Sequence, residues 1–465
     1  MSKINTNVSS LIAQRVLTKN NNALNQSLER LSTGLKINKG ADNPAGLIAS
    51  ENLRAEKAGI SQAIDNAERA SNIIGTAEGG LSEISSLLTE LQSLVGEAAN
   101  AGGLSQEEVD ANQLQVDSIL STINRIAGTT SFQGKKLLNG SLDYTTSGVA
   151  STAVNDLRIN AAKLGTASSL AVTVQVVTSG QTAAISYTGG TTAEAVTIEI
   201  AGNLGTEQLS FASGTTNANI VAAVNALKDV TGVSATSAAG AVSFNSTEYG
   251  SAQFVSVKSL GGAFTTDTQK DDGQDAEVLI NGSSATANGL DVSFRSGTLD
   301  VELKLADAFN IPGQSTFNIT GGGATFSLGS KVREADKASL GIGAVTTGSL
   351  GTKGVGYLDS LKSGGDNAIT GDSLNDAQKI VDSAIKQVAQ LRGRLGAFQK
   401  FTLGSTINNL GVALENVSAS ESAIRDTDFA EETAKLTRSQ ILSQAAQTVL
   451  AQANAAPQSA LRLLQ

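Results

Sequence analysis

The sequence of 465 residues contains no cysteine, no histidine and no tryptophan, only three prolines, and 3% aromatic residues. Without cysteine the chain can form no disulfide and offers no thiolate nucleophile. Without histidine it lacks the commonest general base, and zinc or copper sites built from histidine and cysteine are excluded. Sites for calcium or magnesium made only of carboxylates stay possible on composition alone.

Positive charge and long apolar runs are also scarce. The net charge is −10 and the pI is about 4.8, which argues against a general nucleic-acid-binding protein. No apolar stretch reaches the roughly 18 residues that a membrane-spanning helix needs. The first residues, MSKINTNVSSLIAQ, lack the apolar core of a cleaved secretory signal. Two readings remain: a cytoplasmic protein, or export by a route without a cleaved leader.

The chain divides by composition into three zones. Residues 1–140 and 371–465 are rich in Ala, Leu, Ile, Asn, Gln and Ser with helical spacing, whereas residues 141–370 are rich in Gly, Ser, Thr and Val with short alternating runs. The length suggests about two to four domains. The matching style of the two ends predicts an antiparallel bundle, with the middle zone as an insertion whose ends lie close together.

The clearest pattern is a 3-4 spacing of apolar residues over residues 60–98, with no polar member. An unbroken heptad row of this length predicts one long helix with a coiled-coil seam. Asn43-Pro44 suits its start, and Ser105 with Glu108 predicts a capping box on the next helix. Residues 377–398 repeat the spacing. The predicted bundle seam comprises Ile74, Leu81, Ile84, Leu88, Leu91, Val388, Leu391 and Leu395.

Two further helices are predicted near the ends of the chain, at about residues 4–35 and 428–455. Their apolar stripes are thin, and neither helix can bury its stripe alone. They are expected to pair with each other or with other molecules, and to be marginal in a free monomer, because so little apolar area does not offset the ordering entropy. The residues expected to mediate assembly are Val8, Leu11, Leu24, Leu28, Leu31, Leu442, Val449 and Ala453.

The middle zone is predicted to be β-rich. Alternating apolar residues over about 194–260 predict a strand-strand-helix-strand-strand-strand unit, and a second β-rich stretch covers 276–328. The predicted fold class is multidomain: a long antiparallel α-helical coiled-coil bundle built from both termini, with a β-rich α+β outer insertion. The expected domains are an inner core (1–44 with 426–465), a helical bundle (45–170 with 331–425) and an outer domain (171–330).

Candidates for catalytic or ligand chemistry are weak. Asp271, Asp272 and Asp275 form an acidic cluster, which lacks the spacing and the distal Glu of a calcium loop and favours a surface turn. The run Gly321–Gly323 lacks the Gly-Lys-Ser/Thr of a phosphate-binding loop, which favours a turn between strands. Without histidine an ordinary serine triad is impossible, although Ser-Lys chemistry stays open. We predict no catalytic residue, no cofactor and no metal site.

Several stretches resemble the bacterial flagellin family. Residues 28–63, LERLSTGLKINKGADNPAGLIASENLRAEKAGISQA, look like its N-terminal signature. Residues 131–140, SFQGKKLLNG, resemble the turn after its second helix, and residues 423–465, AIRDTDFAEETAKLTRSQILSQAAQTVLAQANAAPQSALRLLQ, resemble its last segment. The unit around 194–260 is similar to a repeat inserted in some flagellins and hook-filament proteins.

The resemblance implies a structural subunit that polymerises through its terminal helices into the extracellular flagellar filament. It implies that these helices line the filament channel and that subunits are exported unfolded through the flagellar secretion channel. The implied partners are other copies of the chain, hook-filament junction proteins, the filament cap, an export chaperone and the export apparatus. Neither nucleic-acid binding nor membrane insertion is implied.

The sequence departs from the family at positions that face an animal innate immune receptor. In many flagellins the long first bundle helix presents an Arg to the Toll-like receptor for flagellin; the matching residue here is Glu90, while Leu94 is retained. A Glu of the family's partnering helix is matched by Gln115, and the usual Gln-Asn-Arg of the C-terminal bundle helix is replaced by residues 399–401, Gln-Lys-Phe. We therefore expect weak recognition by this receptor.

Two alternative functions are compatible with part of the pattern. A hook-filament junction protein would share the terminal helices, but the quality of both terminal matches favours a flagellin. An enzyme carried on a flagellin scaffold, such as an inserted metalloprotease, would need histidine ligands, which the sequence lacks.

Overall fold

The structure is a computed structural model that describes residues 6–100, 103, 105–165, 167–238, 240–371 and 373–462, with side chains of the last helix up to residue 456. It contains two compact units. The first takes in Ser327–Asp336 and the described parts of Met1–Arg69 and Phe401–Gln465, and the second takes in those of Ala70–Phe326 and Lys337–Lys400.

Long helices occupy both ends of the chain, and two short helices lie among the strands of the middle zone. They are α1 (Val8–Thr33), α2 (Pro44–Ala98), α3 (Gln106–Thr129), α4 (Asn217–Ala226), α5 (Lys228–Thr231), α6 (Leu374–Ala397), α7 (Ser405–Arg425) and α8 (Phe429–Arg462). A π-helical turn, Phe398–Gly404, joins α6 to α7, and 3-10 turns lie at Asp307–Phe309, Glu334–Asp336 and Leu358–Leu361. None of the described helices has the length and apolar character needed to cross a membrane.

The strands occupy the middle of the chain. The first eleven are β1 (Ser131–Phe132), β2 (Lys135–Lys136), β3 (Tyr144–Ser147), β4 (Val154–Ala162), β5 (Leu170–Thr178), β6 (Ala184–Tyr187), β7 (Val196–Gly202), β8 (Thr206–Phe211), β9 (Val233–Ala238), β10 (Ala241–Ser246) and β11 (Phe254–Gly261). The remainder are β12 (Lys270–Asp272), β13 (Glu277–Ile280), β14 (Ser283–Ser284), β15 (Thr286–Asn288), β16 (Asp291–Arg295), β17 (Leu299–Leu305), β18 (Gly313–Gly322), β19 (Ala324–Ser327), β20 (Lys337–Leu340), β21 (Gly351–Thr352) and β22 (Gly356–Tyr357).

The long helix α2 confirms the predicted heptad row, since every apolar member between Ile60 and Ala98 is buried. In the second unit α2 runs antiparallel to α6. Side-chain hydrogen bonds join Gln92 to Asp382 (2.9 Å) and Arg392 to Glu78 (2.8 Å), so residue numbers fall along one helix as they rise along the other. Large aliphatic side chains at 3-4 spacing give each helix one apolar stripe, and the stripes are buried together.

The predicted helix starts are also confirmed. Asn43 accepts a hydrogen bond from the backbone N–H of Gly46 at 2.9 Å, and Pro44 is the first residue of α2. Ser105 and Glu108 form the reciprocal capping box at the start of α3. Each cap satisfies backbone donors that have no acceptor within the helix.

The unit predicted near residues 194–260 has the expected order: β7, β8, α4, β9, β10 and β11 follow one another. Two sheets, ordered β6-β10-β9 and β12-β11-β7-β8, enclose its core with α4. Ile198, Ile220 and Phe244 are among its fully buried side chains. The edge strands β6 and β12 come from outside the predicted segment. The sequence pattern did not include them, because pairing between distant segments leaves no local signal.

The second β-rich stretch forms a two-sheet core, with sheets ordered β14-β13-β5-β18-β3 and β15-β16-β17-β4. It recruits β3, β4 and β5 from before the stretch itself. Ile159 of β4 pairs with Val301 of β17, and Val174 of β5 pairs with Ile280 of β13. The domain limits expected from the sequence stay a prediction. In the structure, β4 lies in the range 45–170 that was expected for the helical bundle, but it shares a sheet with strands from the range 171–330 that was expected for the outer domain.

Candidate assembly surface

Helix α1 starts and ends on recognisable capping residues. The side chain of Asn7 accepts a hydrogen bond from the backbone N–H of Ser10 at 3.1 Å, and Gly34 ends the helix with a φ of 73°, a left-handed conformation that glycine adopts without strain. Helix α8 starts at Phe429, after Asp428 accepts from the N–H of Ala430 at 2.9 Å. It extends beyond the predicted end near residue 455, in keeping with an Ala-rich segment.

In the first unit α1 and α8 pack together in antiparallel orientation. The amide of Asn7 donates to the carbonyl of Ala453 (2.7 Å), that of Asn20 donates to the carbonyl of Leu442 (3.1 Å), and the hydroxyl of Ser443 donates to the side chain of Asn21 (2.7 Å). Small residues occupy the interior of the pair. The buried ones are Ala13, Ser27, Ser443 and Ala446.

Large apolar side chains lie on the outside of this pair. Of the residues expected to mediate assembly, Val8, Leu11, Leu28, Leu442 and Val449 are exposed, and Leu24, Leu31 and Ala453 are half-buried. Other exposed ones, which the sequence prediction did not include, are Ile12, Val16, Phe429 and Ile441. The exposed members of both sets have between 43% and 61% of their surface accessible. We name the exposed members of both sets the terminal apolar face.

The small-residue interior could have been found from the sequence by a different signal. Ala13, Asn20 and Ser27 recur every seven residues along α1, which is the spacing of a coiled-coil seam. Large apolar residues are ordinarily taken as the inward face of a helix. On α1 the residues Val8, Leu11 and Leu28 lie outward, while the fully buried positions are taken by small residues.

The predicted bundle-seam residues lie in the interior of the helical bundle. All of them, from Ile74 to Leu395, are buried, with exposed fractions of 6% or less. Their side chains close the bundle within one chain, so they are not available to a second molecule.

The residues expected to face an immune receptor are divided between surface and interior. Glu90 on α2 and Gln115 on α3 are exposed, but Leu94 has an exposed fraction of only 7%. A receptor that approached α2 in this conformation would therefore meet the Glu90 carboxylate and little of the Leu94 side chain. Receptor recognition stays a prediction.

The acidic cluster of the middle zone is not the predicted surface turn as a whole, because Asp271 and Asp272 lie in strand β12 and only Asp275 lies in the loop that follows. Asp275 accepts hydrogen bonds from the backbone N–H groups of Gly289 (2.7 Å) and Ser251 (3.0 Å). Burial alone would raise the pKa of Asp275, but these hydrogen bonds, together with one from the Ser251 hydroxyl, outweigh burial and lower the pKa. Asp271 accepts from the N–H of Ala184 at 2.8 Å. Among the described residues no group of three or more carboxylates is arranged to hold a metal ion.

The glycine run at the end of β18 also serves the backbone. Gly322 and Gly323 have φ angles of 87° and 73°. A side chain on Gly323 would collide with the ring of Tyr144, whose hydroxyl donates to the carbonyl of Ala162 at 3.2 Å. Gly321 and Gly322 belong to β18 and pair with β3, so the predicted turn between strands is confirmed only at Gly323, which lies between β18 and β19.

Comparison with known families and proteins agrees with the helical ends and the inserted unit. A model of the bacterial flagellin N-terminal helical region matches residues 4–143, and one of the bacterial flagellin C-terminal helical region matches residues 378–464. The flagellin hook IN motif matches residues 197–248, within the β7–β11 unit.

Curated relatives match over almost the whole chain. Flagellin A of Vibrio cholerae serotype O1 is 34% identical over 463 residues, covering 99% of both chains. Polar flagellin B/D of Vibrio parahaemolyticus serotype O3:K6 is 32% identical over 462 residues, again with 99% of each. Among solved structures, FliC from Burkholderia pseudomallei matches 71% of this chain and 99% of its own, at 15% identity and a TM-score of 0.25. The chain therefore belongs to the bacterial flagellin family, whose members are structural subunits of the flagellar filament.

Proposed function

We propose that this chain polymerises with copies of itself through α1 and α8, and that the polymer is the helical filament of a flagellum used for swimming. The observation that carries the proposal is the terminal apolar face, which the chain leaves uncovered along both helices. Nine large apolar side chains left exposed on one pair of helices support an interaction site there.

The energetics favour assembly as the event that orders the terminal helices. Burying one Val, Leu or Ile side chain contributes about 1.5–3 kcal/mol. The apolar residues that the α1–α8 pair buries fully are alanines, which contribute little, while many of its larger apolar side chains stay exposed. Contact with neighbouring copies would bury those side chains and offset the entropy cost of ordering two long helices.

A second copy of the chain is the occupant that best fits this face. The same apolar stripes lie on every subunit, so a contact between non-identical patches of identical chains can repeat without closing, which generates a helical filament. The bundle has its own buried seam and needs no partner to close. Assembly can thus begin from subunits whose bundle is already folded.

Family membership further supports a location and partners outside this chain. We place the filament outside the cell, reached by export of unfolded subunits through the flagellar secretion channel. The chain would meet an export chaperone and the export apparatus before assembly, and hook-filament junction proteins and the filament cap during it. Its role is structural, as for its flagellin relatives, and we propose no enzymatic activity.

A single substitution on the terminal apolar face tests the proposal. Val449→Asp should abolish sedimentable filaments, because assembly would bury an unpaired carboxylate. The matched control is Val230→Asp on α5, since Val230 is also exposed but lies outside the terminal helices. The control should polymerise like the wild type under the same seeding conditions. Filaments of Val449→Asp at the wild-type critical concentration, seen by electron microscopy, would contradict the proposal.

A further inference from the structure

The β-rich part of the second compact unit contains two cores that are joined by two short chain segments. We name strands β6 to β12, with α4 and α5, the inserted unit; its buried residues form a cluster distinct from that of the two-sheet core. The chain leaves the two-sheet core after β5 and returns to it at β13, where Val176 pairs with Val278. Domains joined only by such segments ordinarily move relative to each other, unless further contacts hold them.

One turn of the inserted unit makes such contacts. Residues 249–251, which we name the docking turn, lie between β10 and β11. The half-buried side chain of Tyr249 packs against the buried residues of the two-sheet core. Asp275 accepts hydrogen bonds from the backbone N–H of Ser251 in the docking turn and from that of Gly289 in the two-sheet core. The hydroxyl of Ser251 donates to the other oxygen of the same carboxylate. This carboxylate therefore bonds both sides of the joint.

Two glycines allow the docking turn to come this close. Gly289 has a φ of 63°, and a Cβ at this residue would lie 2.4 Å from the carbonyl oxygen of Tyr249. Gly250 has a φ of 116°, and its Cβ would lie 2.7 Å from the backbone nitrogen of Gly289. Both φ angles favour glycine, and no Cβ fits at such distances. The backbone of the docking turn therefore lies directly against the backbone of the two-sheet core.

The segments that connect the two cores are held as well. Asn310 of the two-sheet core has an exposed fraction of 9%, and its side-chain amide both donates to the carbonyl of Gly180 and accepts from the N–H of Gly180, each at 2.7 Å. The next residue, Gln181, exchanges two backbone hydrogen bonds with Gln274, at 2.8 and 2.9 Å. The carbonyl of Gln181 also accepts from the N–H of Gly250 at 3.2 Å. The first segment is thus bonded to the two-sheet core, to the second segment and to the docking turn.

We propose that the inserted unit and the two-sheet core form one rigid body, and that Asp275 and Asn310 are the side chains that lock the joint between them. The backbone hydrogen bonds of Gln181 join the connecting segments and the docking turn to one another, but none of these bonds reaches the two-sheet core. Asn310 and Asp275 supply that link, and losing either would leave backbone groups at the joint without their partners. The inserted unit would then keep one orientation in every copy of the chain.

The absence of native cysteine allows two spin labels to be placed at chosen positions of the full chain. Ser237→Cys on β9 and Ser283→Cys on β14 place one label on each side of the joint, at residues that are exposed. Double electron–electron resonance then measures the distribution of distances between the labels. A second pair, Ser237→Cys with Lys258→Cys, lies within the inserted unit and reports whether that unit stays folded.

The wild-type chain should give a narrow distribution across the joint. Asp275→Ala and Asn310→Ala should each broaden it, and the double variant should broaden it about twofold or more. Gly289→Ala should broaden it as well, because the added Cβ displaces the docking turn. The matched control is Asp272→Ala, which removes the same side chain from an exposed position within the inserted unit, where it pairs with Lys270 at 2.7 Å. The control should keep the wild-type width, and the label pair within the inserted unit should keep its width in every variant.

Hydrogen exchange gives a second measurement that needs no label. In Asp275→Ala, the amides of Ser251 and Gly289 lose their acceptor, so their protection should fall about tenfold or more, while Asp272→Ala should leave it unchanged. Mass spectrometry of peptides that contain these two residues measures the change.

Three results would overturn the inference. A broad distribution in the wild-type chain would show a hinge instead of a rigid joint. A narrow distribution in both the double variant and Gly289→Ala would show that these residues do not lock the joint, and equal broadening in Asp272→Ala would show that the effect is not specific to it. All measurements use free chains and a joint within one chain, so their outcome does not depend on polymerisation. Filaments formed by a chain with a broad wild-type distribution would leave the proposed function standing and disprove this inference alone.

Discussion

The α2–α6 bundle and the α1–α8 pair use the same helical spacing in opposite ways. In the bundle, large aliphatic residues such as Leu88 and Leu391 lie inside, with exposed fractions of 6% or less. In the terminal pair, Ala13 and Ser27 lie inside, while Leu11 and Leu442 lie outside. The bundle is therefore closed within one chain, whereas the terminal pair has its apolar surface available to other molecules.

The two regions also differ in the burial and the length of the ion pairs that join their helices. Beside the bundle seam, Arg392 and Glu78 form a half-exposed pair at 2.8 Å that water can solvate. In the terminal pair Glu432 is buried, and its ion pair with Arg30 is longer, at 3.7 Å. In the bundle the shapes of large interlocking side chains fix how the helices pack, whereas the small buried residues of the terminal pair carry less shape information.

Removing the terminal helices should have the largest effect on assembly and little effect on the bundle. A fragment of about residues 45–425 keeps α2, α3 and α6 with their buried seam. We expect a cooperative melt and a monomer at every concentration tested by sedimentation. In the full-length monomer, protease should cut rapidly before about residue 45 and after about residue 425, and cutting should stop once filaments form. Polymerisation of the fragment, or protease resistance at both ends of the monomer, would remove the contrast between the two regions.

A matched pair of truncations sharpens the contrast at single residues. Leu88→Ala in the bundle seam should lower the free energy of unfolding by about 2–5 kcal/mol, because it leaves a cavity in a packed interior. Leu442→Ala on the terminal apolar face should change the stability of the free chain by no more than about 0.5 kcal/mol, since the side chain is exposed. The second variant should instead raise the concentration needed to polymerise. Denaturant titration and sedimentation measure the two effects separately, and equal losses of stability would contradict the division.

Deleting the outer strands should leave the filament intact but thinner. The structure suggests where to cut, because the backbone N–H of Gly323 donates to the carbonyl of Asp143 at 3.1 Å. Removing residues 144–322 and joining these two residues with a short linker takes out both β cores as whole units. A deletion of 171–330 serves as the comparison, since it leaves β4 without its partner β17 and should aggregate. Loss of filaments in the first variant, with its helices intact by circular dichroism, would show that the outer strands are needed for assembly.

The sequence predicted those features that depend on nearby residues. The row from Ile60 to Ala98 identified α2, and Ser105 with Glu108 located the start of α3, because helix periodicity and capping are local. The pairing of β4 with β17 was not predicted, because the two strands are far apart in the sequence. Asn160 of β4, for example, donates a hydrogen bond to Asp300 of β17 at 3.0 Å. Such contacts leave no local periodicity to read. The small interior of the α1–α8 pair was not predicted, because only the large apolar residues of these helices were considered.

The smallest expected effect comes from changing a surface charge on α2, which should alter receptor recognition and leave the stability of the chain unchanged. The resemblance to receptor-binding flagellins places Glu90 where many members carry Arg, and the structure leaves this carboxylate exposed. A receptor surface suited to Arg is acidic and would repel Glu90, so activation of reporter cells by the wild-type chain should be weak. Glu90→Arg should raise potency, while Glu83→Arg, the same charge change at an exposed position one heptad earlier on α2, should not. Both substitutions should leave the thermal melt unchanged, since neither side chain is buried. If Glu90→Arg and Glu83→Arg are equally potent, the charge at position 90 does not govern recognition, and the burial of Leu94 becomes the feature to vary next.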